Sequence, residues 1–304
     1  MDVKQVLRRY VQYLRLEKNY SPNTCEAYMS DLARFLDYLD VEGLEIESVE
    51  LENMHNFSSV IMDLGVHPTT LSRILSGVRS FYRFLLLSDL IDHDPLELLE
   101  YPKRARKLPD VLSVEEVDAI EGVVDLSQPE GQRNKAIIEV LFSCGLRVSE
   151  LCNLKITDLY LDEGFVKVEG KGSKQRLVPI SNKAIKELKL YFIERNTYDI
   201  HPDCADYVFV SKKRKRNLSR IMVFHLIKEL VELASIKKTV SPHTFRHSFA
   251  TSLLEGGANL RAIQAMLGHE SIGTTEIYMH IDTSRLREEL LNHHPRYAKA
   301  KRNS

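Results

Sequence analysis

Apolar side chains recur every three or four residues through much of the first hundred residues, a pattern typical of amphipathic helices. One run follows Ser21-Pro22, where a hydroxyl side chain before a proline is a common helix start. Its apolar positions are Tyr28, Leu32, Phe35, Leu36 and Leu39. A second run extends from Pro68 to Leu87, with apolar residues at 71, 74, 75, 78, 81, 82 and 85. Strand-like alternation is absent here, so we expect residues 1–100 to form a small helix bundle.

The pattern beyond residue 130 is mixed. Residues 133–144 are largely apolar and end at Gly145, which predicts a helix with a glycine stop. The segments 165–169 (FVKVE) and 176–180 (RLVPI) flank the glycine-rich GKGSK, which indicates a β-hairpin. The expected fold class is therefore mainly α, with a small β-hairpin or sheet in a second domain.

Three further helices are predicted near the end of the chain. Ser241-Pro242 begins the first and Gly256-Gly257 ends it. The second runs from Asn259 through Leu267 and stops at Gly268. The third, residues 283–291, is amphipathic and carries three leucines on one side.

The formal net charge of −1 conceals two oppositely charged segments. Residues 1–100 carry 9 basic and 17 acidic side chains, whereas residues 101–304 carry 33 and 26. A polyanion would be attracted mainly to the second segment, although such an imbalance is also common on ordinary surfaces. The composition changes at residues 101–110 (YPKRARKLPD), where two prolines bracket four basic residues, as in a stiff linker.

Length and composition exclude several classes of protein. A chain of 304 residues with 43% apolar side chains predicts about two folded domains and excludes general disorder. No apolar run is long enough for a membrane helix and the first ten residues lack a signal core, so we expect a cytoplasmic protein without membrane contact. The four cysteines form no CxxC pair, which predicts reduced, buried thiols and no structural metal.

Several residues could form a phosphate-processing site. Arg147 follows a glycine turn, Lys171 lies at the hairpin tip, and His243 and Arg246 share one face at a helix N-terminus, where anions bind. A capping histidine beside a surface arginine is an equally good interpretation of that last pair. His269 follows a helix stop, and Tyr278 could act as a nucleophile only if cations or a base removed its proton, because tyrosine has a pKa of ~10.

Other basic residues could contact DNA or could simply be solvated. We take as candidate DNA contacts Arg73, Arg79 and Arg83 on the second helical run, four linker residues and a hairpin lysine. The linker and hairpin candidates are Lys103, Arg104, Arg106, Lys107 and Lys174. The basic run 212–216 (KKRKR) receives no assignment.

Four ordered motifs, GLRVSEL, GKGSKQRLVP, HTFRHSFAT and LGHESIGTTEIYMH, closely resemble those of the tyrosine recombinases (phage integrase family), and within them the bacterial Xer type (XerC/XerD-like). The resemblance extends over nearly the whole chain. It implies a two-domain, C-shaped DNA clamp with a core-binding domain in residues 1–100, the linker 101–110 and a catalytic domain in residues 111–304. The helix at about 283–291 resembles the family's exchange helix, which docks into a neighbouring subunit; packing on its own domain is the alternative.

Carried over by residue, the resemblance implies a site of Arg147, Lys171, His243, Arg246, His269 and the nucleophile Tyr278. The two arginines and His269 would bind the phosphate, Lys171 would protonate the leaving 5′-hydroxyl and His243 would accept the proton of Tyr278. The reaction would cut and rejoin DNA through a 3′-phosphotyrosine, with no cofactor, metal or ATP, and the chain contains no GxxxxGK[ST] motif.

The resemblance also implies partners. We expect a double-stranded recombination site, a homo- or hetero-tetramer on DNA that can include a second Xer-type recombinase, and a septal DNA translocase as an activator. The function would be resolution of chromosome or plasmid dimers at cell division. The alternatives are a mobile-element integrase or invertase of the same superfamily and a catalytically silent DNA-binding architectural protein.

Overall fold

The computed structural model describes residues 2–100, 110–170, 174–268 and 283–298. The chain divides into two compact units, Met1–Lys107 and Leu108–Ser304. Each unit has its own hydrophobic core and is described by itself. Within the described residues, no helix is long and apolar enough to cross a membrane.

The first unit is helical, and the described residues 2–100 contain no strand. Its four α-helices are α1 (Val3–Gln12), α2 (Pro22–Glu42), α3 (Leu51–Asp63) and α4 (Pro68–Leu87). A π-helical turn, Tyr13–Glu17, extends α1. The Ser21 side chain caps α2 as the sequence predicts, and Gly43 ends this helix in the left-handed conformation. The predicted bounds of α4 are also confirmed.

Aromatic rings fill the core of the first unit. Phe35 of α2 contacts Phe57 of α3 edge-on, with ring centroids 5.1 Å apart, and Tyr82 of α4 at 6.0 Å. The buried Tyr82 hydroxyl donates to the carbonyl of Ile46 at 3.0 Å. These contacts join three helices through the apolar faces that the sequence pattern predicted.

The second unit combines nine described helices with five short strands. The helices are α5 (Val114–Gly122), α6 (Gly131–Cys144), α7 (Val148–Asn153), α8 (Asn182–Arg195), α9 (Arg220–Leu233), α10 (Pro242–Glu255), α11 (Leu260–Leu267), α12 (Thr283–His293) and α13 (Pro295–Ala298). The strands are β1 (Leu159–Tyr160), β2 (Phe165–Glu169), β3 (Gln175–Pro179), β4 (Val210–Ser211) and β5 (Arg216–Asn217). The predicted fold class, mainly α with a small sheet in the second domain, is confirmed.

Helix α6 is the centre of the second unit. Every side chain from Ala136 to Cys144 is fully buried, so the helix is covered on all sides. It begins at Gly131, two residues before the predicted start, and ends at Gly145 as predicted. All four cysteines are free and buried, as expected.

The strands form one three-stranded sheet and one separate hairpin. In the sheet, β2 pairs antiparallel with β1 and with β3, and Val166 lies opposite Val178. Val166 and Val168 are buried while Lys167 between them is partly exposed, so the alternation of β2 directs one face into the core. The predicted hairpin is confirmed, with β3 one residue earlier than expected. The hairpin of β4 and β5 is outside the prediction.

The two last helices pack on their own unit. Leu286 and Leu290 of α12 are buried in a cluster with Phe249 and Leu253 of α10. In the single chain that the structure describes, the helix packs on its own domain, which is the alternative given in the sequence analysis.

The segment that follows α12 is anchored by a histidine and an arginine. His294 is fully buried between the rings of Phe142 and Phe249, at centroid distances of 5.3 and 5.1 Å. Arg296 of α13 donates to Asp118 of α5 at 2.6 Å and lies 3.3 Å from the buried carboxylate of Glu139. Arg296 thus ties α13 to α5 and α6.

Candidate active site

The turn after α6 places Arg147 at the start of a new helix. Gly145 adopts φ +59, and Arg147 is the N-cap of α7. The backbone N–H of Arg147 donates to Oε2 of Glu150 at 2.8 Å, and its guanidinium donates to Oε1 at 2.8 Å. These two hydrogen bonds hold the arginine beside a carboxylate that is only 3% exposed.

Glu150 also binds a second arginine. Arg176 of β3 makes a two-pronged contact, with Nη1 and Nη2 each 2.8 Å from an oxygen of Glu150. Burial alone would raise the pKa of Glu150, but hydrogen bonds and charge from Arg176, followed by those from Arg147, lower it below its usual value. Glu150 is therefore an ionised, fully engaged carboxylate.

Arg246 is the third guanidinium at this carboxylate. It lies on the first turns of α10, is 6% exposed, and approaches Glu150 at 3.9 Å. Its Nη1 donates to the carbonyl of Gly145 at 2.8 Å and its Nη2 to the carbonyl of Leu267. Burial, then the charge of Arg147, lower the pKa of Arg246 to about 10, and Glu150 opposes that shift. The side chain remains cationic at neutral pH.

The three arginines converge on the C-terminal end of α11. Arg176 Nε donates to the carbonyl of Met266 at 2.7 Å, Arg246 reaches Leu267, and Arg147 Nη2 lies 3.4 Å from the carbonyl of Gly268. Three consecutive carbonyls therefore accept from three guanidiniums, which complements the partial negative charge of a helix C-terminus.

Two glycines make this arrangement sterically possible. A Cβ on Gly145 would lie 2.4 Å from the ring of Phe249, and its positive φ already disfavours other residues. Gly268 ends α11 with φ +63, and a Cβ there would lie 3.3 Å from Arg176 Nη1. The backbone therefore lies close to the ring of Phe249 at Gly145 and close to Arg176 at Gly268.

The balance of charge leaves the cluster cationic. Three guanidiniums face one carboxylate, and Arg147 is the most open of them, with 38% of its side chain exposed against 13% for Arg176 and 7% for Arg246. Guanidiniums held in fixed positions can bind phosphate oxygens through paired N–H groups without reorganising. The cluster is suited to binding an oxyanion at Arg147.

The other predicted site residues are divided between described and undescribed segments. His243 lies on the first turn of α10, exposed, three residues before Arg246. Lys171, His269 and the proposed nucleophile Tyr278 lie outside the described residues. The described chain leaves the cluster at Gly268, directly before His269 in sequence.

The candidate DNA contacts have unequal surroundings. Arg73 binds the buried carboxylate of Asp31, while half of its side chain is exposed, and Arg79 donates to the carbonyls of Leu96 and Leu99 at 2.5 and 3.2 Å. Arg83 and Lys174 are exposed. Arg73 and Arg79 therefore bind their own unit. The linker residues Lys103, Arg104, Arg106 and Lys107 lie outside the described residues.

Glu150 and Arg176 were missed by the sequence analysis. Glu150 could have been found, because a glutamate at the third position of a helix commonly accepts from the backbone N–H of the N-cap residue, here Arg147. Arg176 had no such signal, since a strand arginine ordinarily faces solvent. In the parts of the chain that the structure describes, no group of three His, Cys, Asp or Glu residues is placed to hold a metal ion.

Comparisons with known proteins agree along the whole chain. The phage integrase family matches residues 110–285, and the phage integrase N-terminal SAM-like domain matches residues 7–88. Tyrosine recombinase XerD of Chlorobaculum tepidum is 40% identical over 296 residues, 96% of this chain and 97% of that protein. XerD of Staphylococcus aureus is 37% identical over 295 residues, 97% of this chain and all of that protein.

Solved structures give the same result. The XerH site-specific recombinase bound to difH substrate, a pre-cleavage complex, has a TM-score of 0.67 at 25% identity and covers 93% of this chain and 82% of its own. The Tn1549 transposon integrase in complex with transposon right-end DNA has a TM-score of 0.74 and covers 94% and 98%; at 20% identity it shows the fold alone. The chain belongs to the phage integrase family and is a site-specific tyrosine recombinase, an enzyme that cuts and rejoins DNA strands.

Proposed function

We propose that this recombinase resolves chromosome or plasmid dimers at cell division, in the cytoplasm, by acting on a double-stranded recombination site. The XerD relatives at 37–40% identity over nearly the full chain support this role. The observation that carries the chemistry is the cluster of Arg147, Arg176 and Arg246 around Glu150. It supplies fixed positive charge at the carbonyl of Gly268, the residue that precedes His269 in sequence.

Arg147 and Arg246 bind the non-bridging oxygens of the cleaved phosphate. Attack on a phosphodiester adds negative charge in the transition state, and cations that are already in place stabilise that charge without reorganising. The contacts of both arginines to backbone carbonyls, and of Arg147 to Glu150, support this role, because they fix each guanidinium plane before DNA arrives. His269 donates a further hydrogen bond to the same phosphate.

Tyr278 is the nucleophile. Its phenolic oxygen forms a bond to phosphorus while the bond from phosphorus to the 5′ oxygen breaks, which leaves a 3′-phosphotyrosine and a 5′-hydroxyl. His243 accepts the proton of Tyr278, and Lys171 donates a proton to the leaving oxygen. Attack by the 5′-hydroxyl of another strand reverses these steps and releases the enzyme, so the reaction consumes no ATP.

The assembly follows from the reaction, since two duplexes require four active sites. We assign DNA clamping to residues 1–100, the linker to 101–110 and catalysis to 111–304. Four copies, or two copies with two of a second Xer-type recombinase, assemble on DNA, and α12 moves from its own unit to a neighbouring one. A septal DNA translocase activates the complex. Leu286 and Leu290 form the buried apolar face of α12 and pack against α10 of the same chain. In the assembly, this face would pack against the equivalent surface of a second copy.

A nicked suicide substrate tests the chemistry. With the organism's own candidate site, the wild-type chain is expected to form a covalent adduct that survives SDS and carries the 3′ end of the cut strand. Tyr278→Phe should form none. Tyr160→Phe is the matched control, because Tyr160 is an exposed tyrosine on β1, and its adduct should form at the wild-type rate. Free 3′-phosphate ends without an adduct would contradict the proposal.

A plasmid test addresses the biological role. A plasmid with two directly repeated candidate sites should be converted to two circles in cells that contain the wild-type protein, and not in cells that contain Tyr278→Phe. Adduct formation in vitro without conversion in any dividing cell would retain the chemistry and reject the role in dimer resolution.

A further inference from the structure

The basic run Lys212–Arg216 forms the tip of the hairpin of β4 and β5. All five side chains are exposed. The hairpin segment Ser211–Asn217 contributes no apolar side chain, and its sequence is SKKRKRN. Five consecutive cations on one short turn form the densest basic cluster in the described chain, and the proposed reaction assigns no role to them.

The backbone of this turn is fixed at both ends. Oε1 of Glu130 accepts from the N–H of Lys212 at 2.6 Å, and Oγ of Ser211 accepts from the N–H of Arg214 at 3.3 Å. The N–H of Lys215 donates to the carbonyl of Ser211 at 2.8 Å, with Lys215 at φ +56. The tip therefore presents its side chains from a defined frame.

The five cations divide into two groups. Lys212 lies over the ring of Tyr198 at 5.2 Å, and Lys215 pairs with Asp199, so these two bind their own unit. Lys213, Arg214 and Arg216 have neither an ion pair nor a side-chain hydrogen bond with any residue that the structure describes. Three cations are thus available to a partner.

We propose that Lys213, Arg214 and Arg216 bind the phosphate backbone of duplex DNA outside the cleavage point. This rests on the proposed function only for the identity of the DNA. Phosphates repeat along a duplex at a spacing that a row of cations can match, and such contacts position a protein without reading sequence. A protein partner is disfavoured because an interface core is typically apolar, and the hairpin provides no apolar side chain.

Helix α6 sets the distance between the two phosphate-binding regions. Its first turn holds the hairpin, since Arg133 donates to the carbonyl of Val210 at 3.1 Å and Glu130 caps Lys212. Its last residue precedes Gly145, which accepts from Arg246. A helix of 14 residues is about 21 Å long at 1.5 Å per residue. A duplex that follows the helix would span this length with about six base pairs at 3.4 Å each.

The salt dependence of binding tests the proposal. Lys213→Gln/Arg214→Gln/Arg216→Gln is compared with Lys186→Gln/Lys189→Gln/Lys237→Gln, which removes the same charge from exposed lysines elsewhere on the unit. Both are made in the full chain with Tyr278→Phe, so that cleavage does not intervene. Affinity for a labelled duplex is measured by fluorescence anisotropy across a range of salt concentrations. Circular dichroism melting verifies that each variant is folded.

The hairpin variant should reduce the slope of log affinity against log salt by about 2 to 3, since each lost phosphate contact removes about 0.9. The control should change it by less than about 1. The difference should vanish on duplexes with arms of about four base pairs beside the cleaved phosphate and appear with arms longer than about eight.

Equal slopes for the two triple variants, no change for the hairpin variant, or a difference that persists on the short arms would overturn the proposal. These outcomes are independent of the suicide-substrate result, because equilibrium binding is measured without cleavage. Absence of a covalent adduct from the wild-type chain would reject the proposed function and leave the binding comparison interpretable.

Discussion

Glu150 determines where the three guanidiniums lie. It is 3% exposed, it binds Arg147 and Arg176 directly, and it lies 3.9 Å from Arg246. A buried carboxylate with three cationic neighbours neutralises part of their mutual repulsion and fixes their planes. The cluster is therefore held by charge inside the protein, while the more exposed Arg147 remains able to bind a phosphate.

Replacement of Glu150 by glutamine should weaken both stability and activity. The lowered pKa of Glu150 means that its stabilisation is present above its ordinary range and is lost as pH falls through the folded-state pKa. Glu150→Gln should cost about 3 kcal/mol at pH 7, as expected for breaking a buried ion pair, and should flatten the acid limb of the stability curve. Urea unfolding followed by circular dichroism measures this. Glu229→Gln on the exposed face of α9 is the control; equal losses would argue against the role of Glu150.

Gly145 should not tolerate a side chain. Gly145→Ala places a Cβ 2.4 Å from Phe249 at a positive φ, whereas Gly257→Ala has a positive φ but only ordinary contacts at 3.8 Å. The control should lose about 1 kcal/mol from backbone strain alone. Gly145→Ala should lose about 1 to 3 kcal/mol more because the ring must move. Thermal unfolding compares the stability of the two variants. Similar losses of stability would mean that the Phe249 ring moves away from the new Cβ without a loss of packing energy.

At the scale of the element, the sequence predicts the helices better than the short strands. The bounds of α4, α10 and α11 follow from the caps Ser241 and Asn259 and from apolar spacing. Strands β4 and β5 have two residues each, too short for an alternation to be visible. The bond between Arg176 and Glu150 joins residues 26 apart, and local patterns do not encode such contacts.

The segment that follows α12, residues 294–298, is the second element that the sequence analysis did not predict. Histidine is a polar residue, yet His294 is fully buried because three aromatic rings, those of Phe142, Phe249 and Tyr297, enclose it. The burial of this histidine depends on the three-dimensional packing, and the periodicity of the sequence does not predict it. Its consequence can be measured as pH dependence.

His294 should make the second unit sensitive to acid. Burial, then the charge of Arg296, lower the pKa of His294 to about 3. Between that value and its ordinary pKa the unfolded chain binds the additional proton, so the stabilisation is complete above about pH 6.5 and is lost as pH falls. The loss should reach about 2 kcal/mol at pH 5, at 1.36 kcal/mol per unit.

Urea unfolding at pH 7.5 and pH 5 measures this loss by circular dichroism, which suits a chain without tryptophan. His294→Phe keeps an aromatic ring and should lose about 2 kcal/mol less than the wild type between the two pH values. Glu139, whose pKa burial raises to about 8, titrates in the opposite sense but is present in both proteins, so the comparison isolates His294. His225→Asn on the exposed side of α9 is the control and should show the same loss as the wild type. A pH difference that His294→Phe leaves intact would assign the acid sensitivity to other groups.

At the scale of the whole molecule, charge is distributed unequally between residues 1–100 and residues 101–304. The acidic residues 1–100 carry two arginines, Arg73 and Arg79, that bind their own unit. Residues 101–304 have the basic surplus, and there the arginine cluster and the hairpin tip lie at opposite ends of α6. We infer that attraction to DNA comes mainly from this second segment. In this proposal the arginine cluster binds the cleaved phosphate, and the hairpin binds the DNA backbone outside the cleavage point.

The central claim is that Arg147 and Arg246 act on one phosphate. The most direct measurement is a double-mutant cycle on the single-turnover rate of adduct formation, with Arg147→Lys, Arg246→Lys and both together on the nicked suicide substrate. Each single variant should slow the reaction by about 10²-fold or more, as for loss of one fixed donor. The double variant should be far less impaired than the product of the two, because the arginines share a target and a carboxylate. Strictly multiplicative losses, or single variants with the wild-type rate, would contradict the account.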